Sequence, residues 1–199
     1  MKLLYSPTSP YARKVRIAVI EKGLADRVEI VLVDVLGKPD MVRGDNPLAK
    51  IPTLVLDDGT SLFDSPVICE YLDALAPAPK VIPEGVARFA TLKRQALADG
   101  VKDAAFNLVM ERRRPEAQRS EEWTTRWTNA IAAGLAALEA EVAGEAPFDL
   151  GWIAALCAGD YVEFRLADLG MAAHAPKLTA WRTDMAGRAS VAESAPPKG

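Results

Sequence analysis

Two strand-like runs with a helix between them occupy the first 33 residues and restrict the fold most strongly. Residues 2–5 and 28–33 are apolar runs that each fit a strand, and the apolar residues 15–20 fit a helix packed on a sheet. Gly23 provides a stop for that helix. Strands joined through a helix at this spacing are parallel, with a right-handed crossover. The chain is therefore predicted to begin with a βαβ unit.

A hairpin and a further helix complete the first part of the pattern. Residues 53–56 and 61–63 flank an Asp-Asp-Gly turn, which is typical of an antiparallel hairpin. The preceding residues 37–47 are broken by proline and glycine and leave room for at most a short helix. After the hairpin, Ile68, Leu72 and Leu75 recur at helical spacing, and this helix ends before Pro77. The predicted order over residues 1–76 is βαβαββα.

The composition changes after residue 76. Residues 77–85 contain three prolines and mark a linker. Beyond the linker, residues 88–114, 121–142 and 178–187 have helical patterns, and Asp149 is placed to cap a helix that is apolar all round. The predicted fold class is therefore α/β plus all-α, with an α/β domain at 1–76, a linker at 77–85 and an all-helical domain at 86–199.

Composition excludes several classes of function. The net charge of -3 and pI near 5.3 argue against a nucleic-acid-binding surface, and no apolar run is long enough to span a membrane. The chain begins directly with a strand pattern, so no secretory leader is evident, and Cys69 and Cys157 fit buried free thiols. The single histidine, His174, offers no metal-site spacing. We expect a cytoplasmic protein without a metal ion.

A run of three arginines, residues 112–114, ends the first long helix pattern before Pro115. Cations near the C-terminus of a helix interact favourably with the helix dipole. This explanation is preferred over a binding patch for the run.

Two helices begin with a similar Ser-Pro pair, at Ser9 and at Ser65. Serine is a good N-cap and proline suits the first helical position, so simple capping explains each pair on its own. The N-terminus of a helix also attracts anions through its free N–H groups and its dipole. Between the two pairs, Pro52 enters a strand and marks a sheet edge, a bend or a cis peptide bond.

Three stretches, residues 5–16, 46–54 and 63–72, together resemble the cytosolic glutathione S-transferases. The resemblance covers essentially the whole chain and implies a thioredoxin-like N-terminal domain followed by an all-helical domain. The chain is most similar to small bacterial members with a serine at the first helix, close to the zeta and theta types. It lacks a Cys-x-x-Cys motif and the longer serine-cysteine signature of the zeta isomerases, which argues against disulfide exchange and isomerisation.

The resemblance implies a role for each of seven residues in binding glutathione. Ser9 corresponds to the serine that hydrogen-bonds the glutathione sulfur and favours its thiolate, and neighbouring Thr8 or Ser6 is an alternative donor. Pro52 corresponds to the family's cis-proline, and Ile51 to the residue whose backbone pairs with the cysteinyl part. Asp64 and Ser65 correspond to the partners of the γ-glutamyl ammonium and carboxylate groups. Lys50 and Lys38 correspond to the cations for the glycine carboxylate.

The implied activity is transfer of the glutathione thiolate to a small electrophile or a peroxide, with glutathione as co-substrate. Tyr11, Phe106 and Met110 are candidates to line the electrophile pocket, although each also fits core or dimer contact. The alternatives are a non-catalytic glutathione-binding or dimeric scaffold protein and a glutathione-dependent isomerase. The family also implies a two-fold homodimer that buries faces of the helices after Ser65 and Arg88.

Overall fold

The computed structural model describes residues 1–76, 78–142 and 147–197. Two compact units divide the chain: the first contains Met1–Glu84 and Gly187–Gly199, and the second contains Gly85–Ala186. The elements are β1 (Lys2–Tyr5), α1 (Pro10–Glu21), β2 (Glu29–Leu32), α2 (Asp40–Arg43), β3 (Thr53–Val55), β4 (Ser61–Leu62), α3 (Ser65–Leu75), α4 (Ala87–Arg112), α5 (Glu121–Glu141), α6 (Leu150–Arg165), α7 (Met171–His174), α8 (Pro176–Met185) and α9 (Ala189–Glu193). The helix stop predicted at Pro77 lies outside the described residues.

The first unit is built on a four-stranded mixed sheet with the strand order β2-β1-β3-β4. β1 pairs with β2 in parallel, while the β1–β3 and β3–β4 pairs are antiparallel, so the predicted βαβ unit and hairpin are confirmed. Neighbouring Leu3 and Leu4 are both buried, which shows that both faces of the sheet are covered. On the face of Leu4, Val33 and Val42 complete an apolar cluster that holds the short helix α2.

The second unit is helical. Residues 151–159 of α6 are all buried, as the apolar sequence predicts for a central helix. Asp149 caps α6, as predicted, because its Oδ1 accepts the Trp152 N–H at 2.9 Å. Its Oδ2 accepts the Thr91 hydroxyl of α4 at 2.7 Å. A Cβ at Gly151 would lie 2.7 Å from the Thr91 carbonyl oxygen, so glycine permits the close approach of α4 and α6.

The C-terminal segment differs from the predicted division, which placed all of 86–199 in the helical domain. Residues 187–199 group with the first unit, where α9 packs against α1. Arg16 of α1 donates to the Glu193 carbonyl at 2.8 Å, and Arg188 forms two hydrogen bonds to Glu21 at 2.7 and 2.6 Å. These contacts hold the C-terminal segment on α1, the helix that Ser9 caps.

No helix within the described ranges combines the length and the apolar character that crossing a membrane requires. The finding agrees with the low mean hydropathy of +0.04 and with a charged-residue content of 26%.

Candidate functional site

One end of the sheet in the first unit brings together the two Ser-Pro helix starts. Because β1 and β4 are each antiparallel to β3, they run in the same direction, and both α1 and α3 begin at the same end of the sheet. β3 starts at that end too, with Thr53 opposite Leu4. Strands lie about 4.8 Å apart, so β1 and β4 are separated by about 10 Å. An extended tripeptide has about the same length.

Ser9 occupies the N-cap of α1. Its backbone is extended, with φ -83° and ψ 118°, and its Oγ accepts the Ala12 N–H at 3.2 Å. A serine hydroxyl accepts through its oxygen and still donates its hydrogen. Among the described residues, that hydrogen has no acceptor. The predicted cap is confirmed, and Ser9 retains a donor at the positive end of a 12-residue helix.

The two neighbouring hydroxyls differ from that of Ser9. The Oγ of Ser6 and the Oγ1 of Thr8 lie 3.3 Å apart and hydrogen-bond to each other. One of their two hydrogens is therefore used within the pair. The Ser9 N–H donates to the Ser6 carbonyl at 3.1 Å, which fixes the turn that leads into α1.

The start of α3 is open, in contrast to that of α1. Asp64 is the N-cap, but its side chain makes no capping hydrogen bond and is exposed. Ser65 is the first helical residue and is buried, and Pro66 takes the second position rather than the first position predicted from the sequence. Proline there removes an N–H that an N-cap side chain commonly accepts. The remaining N–H groups of this helix start have no side-chain cap and are available to an anion.

Asn46 organises the loop between the two helix starts. Its Nδ2 donates to the Lys50 carbonyl at 3.0 Å and to the Thr53 Oγ1 at 3.2 Å, and its Oδ1 accepts the Leu48 N–H at 3.0 Å. Thr53 also donates to the Lys50 carbonyl, at 2.9 Å. Asn46 is almost fully buried, at 1% exposure. Sequence reasoning assigned it no role, although a turn-forming Asn before proline is a recognisable signal.

The loop organised by Asn46 leads into Ile51, which is predicted to contact glutathione through its backbone, and into Pro52. The Ile51–Pro52 peptide bond is cis, one of the three alternatives that the sequence left open. Ile51 is half-buried, while Lys50 is exposed. Lys38 is exposed in the turn after β2, where its N–H donates to the Asp34 carbonyl at 2.8 Å.

The predicted electrophile-pocket residues belong to different units. Tyr11 lies half-buried in the first turn of α1, in the first unit. Phe106 and Met110 lie one turn apart on α4, in the second unit, where Phe106 is 38% exposed and Met110 is half-buried. Each of the three thus retains accessible surface within its own unit.

Hydrogen bonds with residues 188–191 stabilise α1. The pKa of Glu21 is lowered, chiefly by the hydrogen bond from Arg188, with burial opposing it and Ser190 adding a second hydrogen bond. Buried Arg13 donates to the Val191 carbonyl at 3.3 Å.

Among the residues with described placement, no group of three or more His, Cys, Asp or Glu side chains is arranged to hold a metal ion.

Comparison with known proteins identifies close relatives over the whole chain. The family "Glutathione S-transferase, N-terminal domain" matches residues 3–80. The chain is 36% identical to the uncharacterized GST-like protein YibF of Escherichia coli K12, and the alignment covers 100% of both chains.

Solved structures agree with this. A glutathione transferase family member from Pseudomonas fluorescens Pf-5, with bound glutathione, superimposes with a TM-score of 0.95 at 37% identity over 99% of each chain. A second structure of a family member from that strain, with bound S-(propanoic acid)-glutathione, gives 0.91 at 36% identity over 100% of each chain. The fold is a thioredoxin-like N-terminal domain followed by a helical domain.

Proposed function

The chain belongs to the glutathione S-transferase family, and from this premise we propose that it binds glutathione at the sheet end that carries Ser9 and Asp64. The bound thiol is activated there for attack on a small electrophile or a peroxide. The observation that carries the proposal is the Ser9 hydroxyl, which accepts the Ala12 N–H and keeps a hydrogen to donate at a helix N-terminus.

Ser9 would act by stabilising the thiolate form of glutathione. A thiol with a pKa near 8.5 is mostly protonated at neutral pH and is then a weak nucleophile. A hydroxyl donor and the positive end of the α1 dipole both favour the negative sulfur. The Ala12 N–H also polarises the hydroxyl and strengthens it as a donor.

The rest of the tripeptide would follow the sheet end from β1 towards β4. The backbone of Ile51 pairs with the cysteinyl part, beside cis Pro52. The γ-glutamyl carboxylate binds the uncapped start of α3 at Ser65, and exposed Asp64 pairs with the ammonium group. Exposed Lys50 and Lys38 would provide the positive charge for the glycine carboxylate.

The test is a calorimetric glutathione titration at neutral pH, with the thiolate absorbance followed in parallel. Ser9→Gly removes the hydroxyl and costs only a few tenths of a kcal/mol as an N-cap, so it should fold. We expect it to lose the thiolate signal and to lower kcat/KM by about 10- to 100-fold, as expected for one hydrogen bond to a charged group. Ser6→Ala and Thr8→Val serve as matched controls.

Two outcomes would contradict the proposal. An unchanged thiolate signal in Ser9→Gly would exclude Ser9 as the activating residue, and loss in Thr8→Val instead would transfer the role to the neighbouring hydroxyl pair. No glutathione binding by the wild type would exclude the transferase and favour the scaffold alternative. Relatives bind glutathione and a glutathione substituted on its sulfur, which makes binding the expected result.

We further propose a cytoplasmic homodimer. Val67 on α3 and Phe89 on α4 are 47% and 69% exposed, and they lie on the helices that the family resemblance assigns to the dimer. Cys69 and Cys157 are buried and are not joined in a disulfide, which fits a reducing compartment. Sedimentation at micromolar concentration should give a dimer, and a purely monomeric protein would exclude it.

A further inference from the structure

The C-terminal segment of the first unit is hydrogen-bonded to the N-terminal half of α1. We call residues 188–194 the C-terminal clasp. At the end of the first turn of α1, the guanidinium of Arg13 donates to the Val191 carbonyl at 3.3 Å. Three residues later, Arg16 donates to the Glu193 carbonyl at 2.8 Å. The clasp is therefore attached close to the helix start that forms part of the candidate site.

The far end of α1 is attached to the clasp through a carboxylate. Glu21, the last residue of α1, accepts two hydrogen bonds from Arg188, at 2.7 and 2.6 Å, and one from the Ser190 hydroxyl. The side chain of Glu21 is only 12% exposed, so solvent screens this ion pair only in part. Two N–H donors of one guanidinium on one carboxylate fix direction as well as charge. The Arg188–Glu21 pair thus determines where the clasp begins on α1.

The clasp depends on α1 for its own structure. Its helix α9 has five residues, and a helix of this length is not stable alone in water. Ser190, Val191 and Ser194 are almost fully buried. The Ser194 hydroxyl donates to the Ser190 carbonyl at 2.7 Å, so part of the hydrogen bonding of α9 is internal. We expect α9 to fold on α1 and to leave it as a unit, so that weakening one link loosens the others.

Arg13 joins the clasp to the turn that carries Ser9. The backbone N–H of Arg13 donates to the Ser9 carbonyl at 3.0 Å, while its side chain binds the Val191 carbonyl. One residue earlier, the Ala12 N–H donates to the Ser9 hydroxyl oxygen at 3.2 Å. This turn carries no acidic side chain to stabilise the helix N-terminus, and the ends of helices open most readily. Attachment of Arg13 to the clasp therefore holds the turn that fixes the Ser9 hydroxyl.

We propose that the C-terminal clasp positions the Ser9 hydroxyl, and that the Arg188–Glu21 pair keeps the clasp closed. The inference rests on the transferase function proposed above, in which Ser9 stabilises the glutathione thiolate. With the clasp closed, the first turn of α1 is formed and the hydroxyl is fixed. With the clasp open, the turn frays and the thiol loses its donor, while the proposed contacts at the starts of β3 and α3 remain. Arg188 and Glu21 are thus positioning residues that do not touch glutathione.

Amide hydrogen exchange of the protein without glutathione tests the clasp alone. Arg188→Gln should accelerate exchange of the Ala12 and Arg13 amides by about three- to fivefold, as expected for the loss of one partly exposed ion pair. The double variant Arg16→Gln/Arg188→Gln loses two links and should accelerate exchange by about 10- to 25-fold. Unchanged exchange of these two amides in the double variant would overturn the inference.

Two controls separate the Arg188–Glu21 pair from a general loss of charge. Glu21→Arg combined with Arg188→Glu keeps an ion pair with its ends interchanged, and should restore most of the protection that Arg188→Gln loses. Arg112→Gln removes two hydrogen bonds to Asp168 in the second unit and should leave the exchange of both amides as in the wild type. No restoration by the interchanged pair, or equally fast exchange in Arg112→Gln, would overturn the assigned role of the Arg188–Glu21 pair.

Titration of the bound thiol tests the effect on Ser9. With saturating glutathione, the thiolate absorbance should give a thiol pKa about 0.3–0.5 higher in the double variant than in the wild type, a two- to threefold loss of ionisation. The Kd of glutathione near pH 5, where the thiol is protonated, should change less than about twofold. In a Ser9→Gly background, the same two changes should leave the thiol pKa where Ser9→Gly alone places it, because the hydroxyl through which they act is missing.

The two measurements distinguish the failure of this inference from the failure of the proposed function. A thiol pKa that Ser9→Gly raises and the double variant does not would overturn the positioning role and leave the transferase. A rise of equal size with and without the Ser9 hydroxyl would also overturn the positioning role. Faster exchange in the double variant, with a thiol pKa that Ser9→Gly leaves unchanged, would overturn Ser9 as the activating residue and leave the clasp as the element that holds its turn.

Discussion

Replacing Asn46 by alanine tests whether one buried side chain fixes the loop of the candidate site. The change removes the hydrogen bonds to the Lys50 carbonyl, the Thr53 hydroxyl and the Leu48 N–H. A buried hydrogen bond contributes about 0.5–1.5 kcal/mol. Thr53 keeps its own bond to the Lys50 carbonyl, so the expected loss is about 2–3 kcal/mol of unfolding free energy, near the middle of the summed range.

Urea unfolding followed by far-ultraviolet circular dichroism measures this loss. The four tryptophans all lie between residues 123 and 181, in the second unit, so their fluorescence does not report on the loop. We expect the midpoint to fall by roughly 1 M urea with an unchanged slope. Glutathione binding should weaken about 3- to 10-fold, because binding must then order a loop that is fixed in the wild type.

The controls separate the network from a general effect of truncation. Asn129→Ala, at an exposed position of α5, should change stability by less than about 0.5 kcal/mol. In a double-mutant cycle, Asn46→Ala and Thr53→Val should couple by about 1 kcal/mol because they share one bond and one acceptor. Additive effects, or a loss in Asn46→Ala no larger than in Asn129→Ala, would refute the reasoning.

Two further predictions concern stability. The Arg188 hydrogen bond lowers the pKa of Glu21 from its ordinary value of 4.5, so the ionised carboxylate stabilises the fold above that value and the benefit is lost as the pH falls. In thermal unfolding, Glu21→Gln should be about 1 kcal/mol less stable than the wild type at pH 7, and this difference in stability should disappear below pH 4.5. A difference that does not change with pH would exclude the ion pair as its cause. Gly151→Ala should lower the free energy of unfolding by at least about 2 kcal/mol because the new Cβ meets the Thr91 carbonyl. Gly100→Ala, in open space on α4, should raise it by about 0.5–1 kcal/mol. Similar losses in both variants would contradict the packing argument.

The sequence was sufficient where one local signal determines the structure. The caps Ser9 and Asp149, the hairpin turn and the apolar run of α6 were each predicted from a few neighbouring residues, and each is present. The placement of α9 was not predictable in this way. It depends on Arg16 reaching a carbonyl 177 residues away and on Arg188 reaching Glu21, and neither pair leaves a pattern in a single sequence.

The network of Asn46 was missed for a related reason. Asn before Pro47 predicts a turn, but the partners of its amide become visible only when Lys50 and Thr53 fold back over the loop. The three arginines at residues 112–114 are a further case. In the sequence, Arg113 is indistinguishable from Arg112 and Arg114, and only the placement of Asp168 and Glu111 separates them.

The two Ser-Pro pairs show how far a shared sequence pattern determines a site. In α1 the proline follows the N-cap directly, so Ser9 can accept the N–H of the third helical residue, Ala12. In α3 the helix starts one residue earlier relative to its proline, so Ser65 lies inside the helix and the cap is Asp64, which makes no capping bond. A shift of one residue thus gives one helix start a hydroxyl that is held in place and the other a set of uncapped N–H groups. Under the proposed function, the first would suit the sulfur and the second the γ-glutamyl carboxylate, the roles that the family resemblance implies for Ser9 and Ser65.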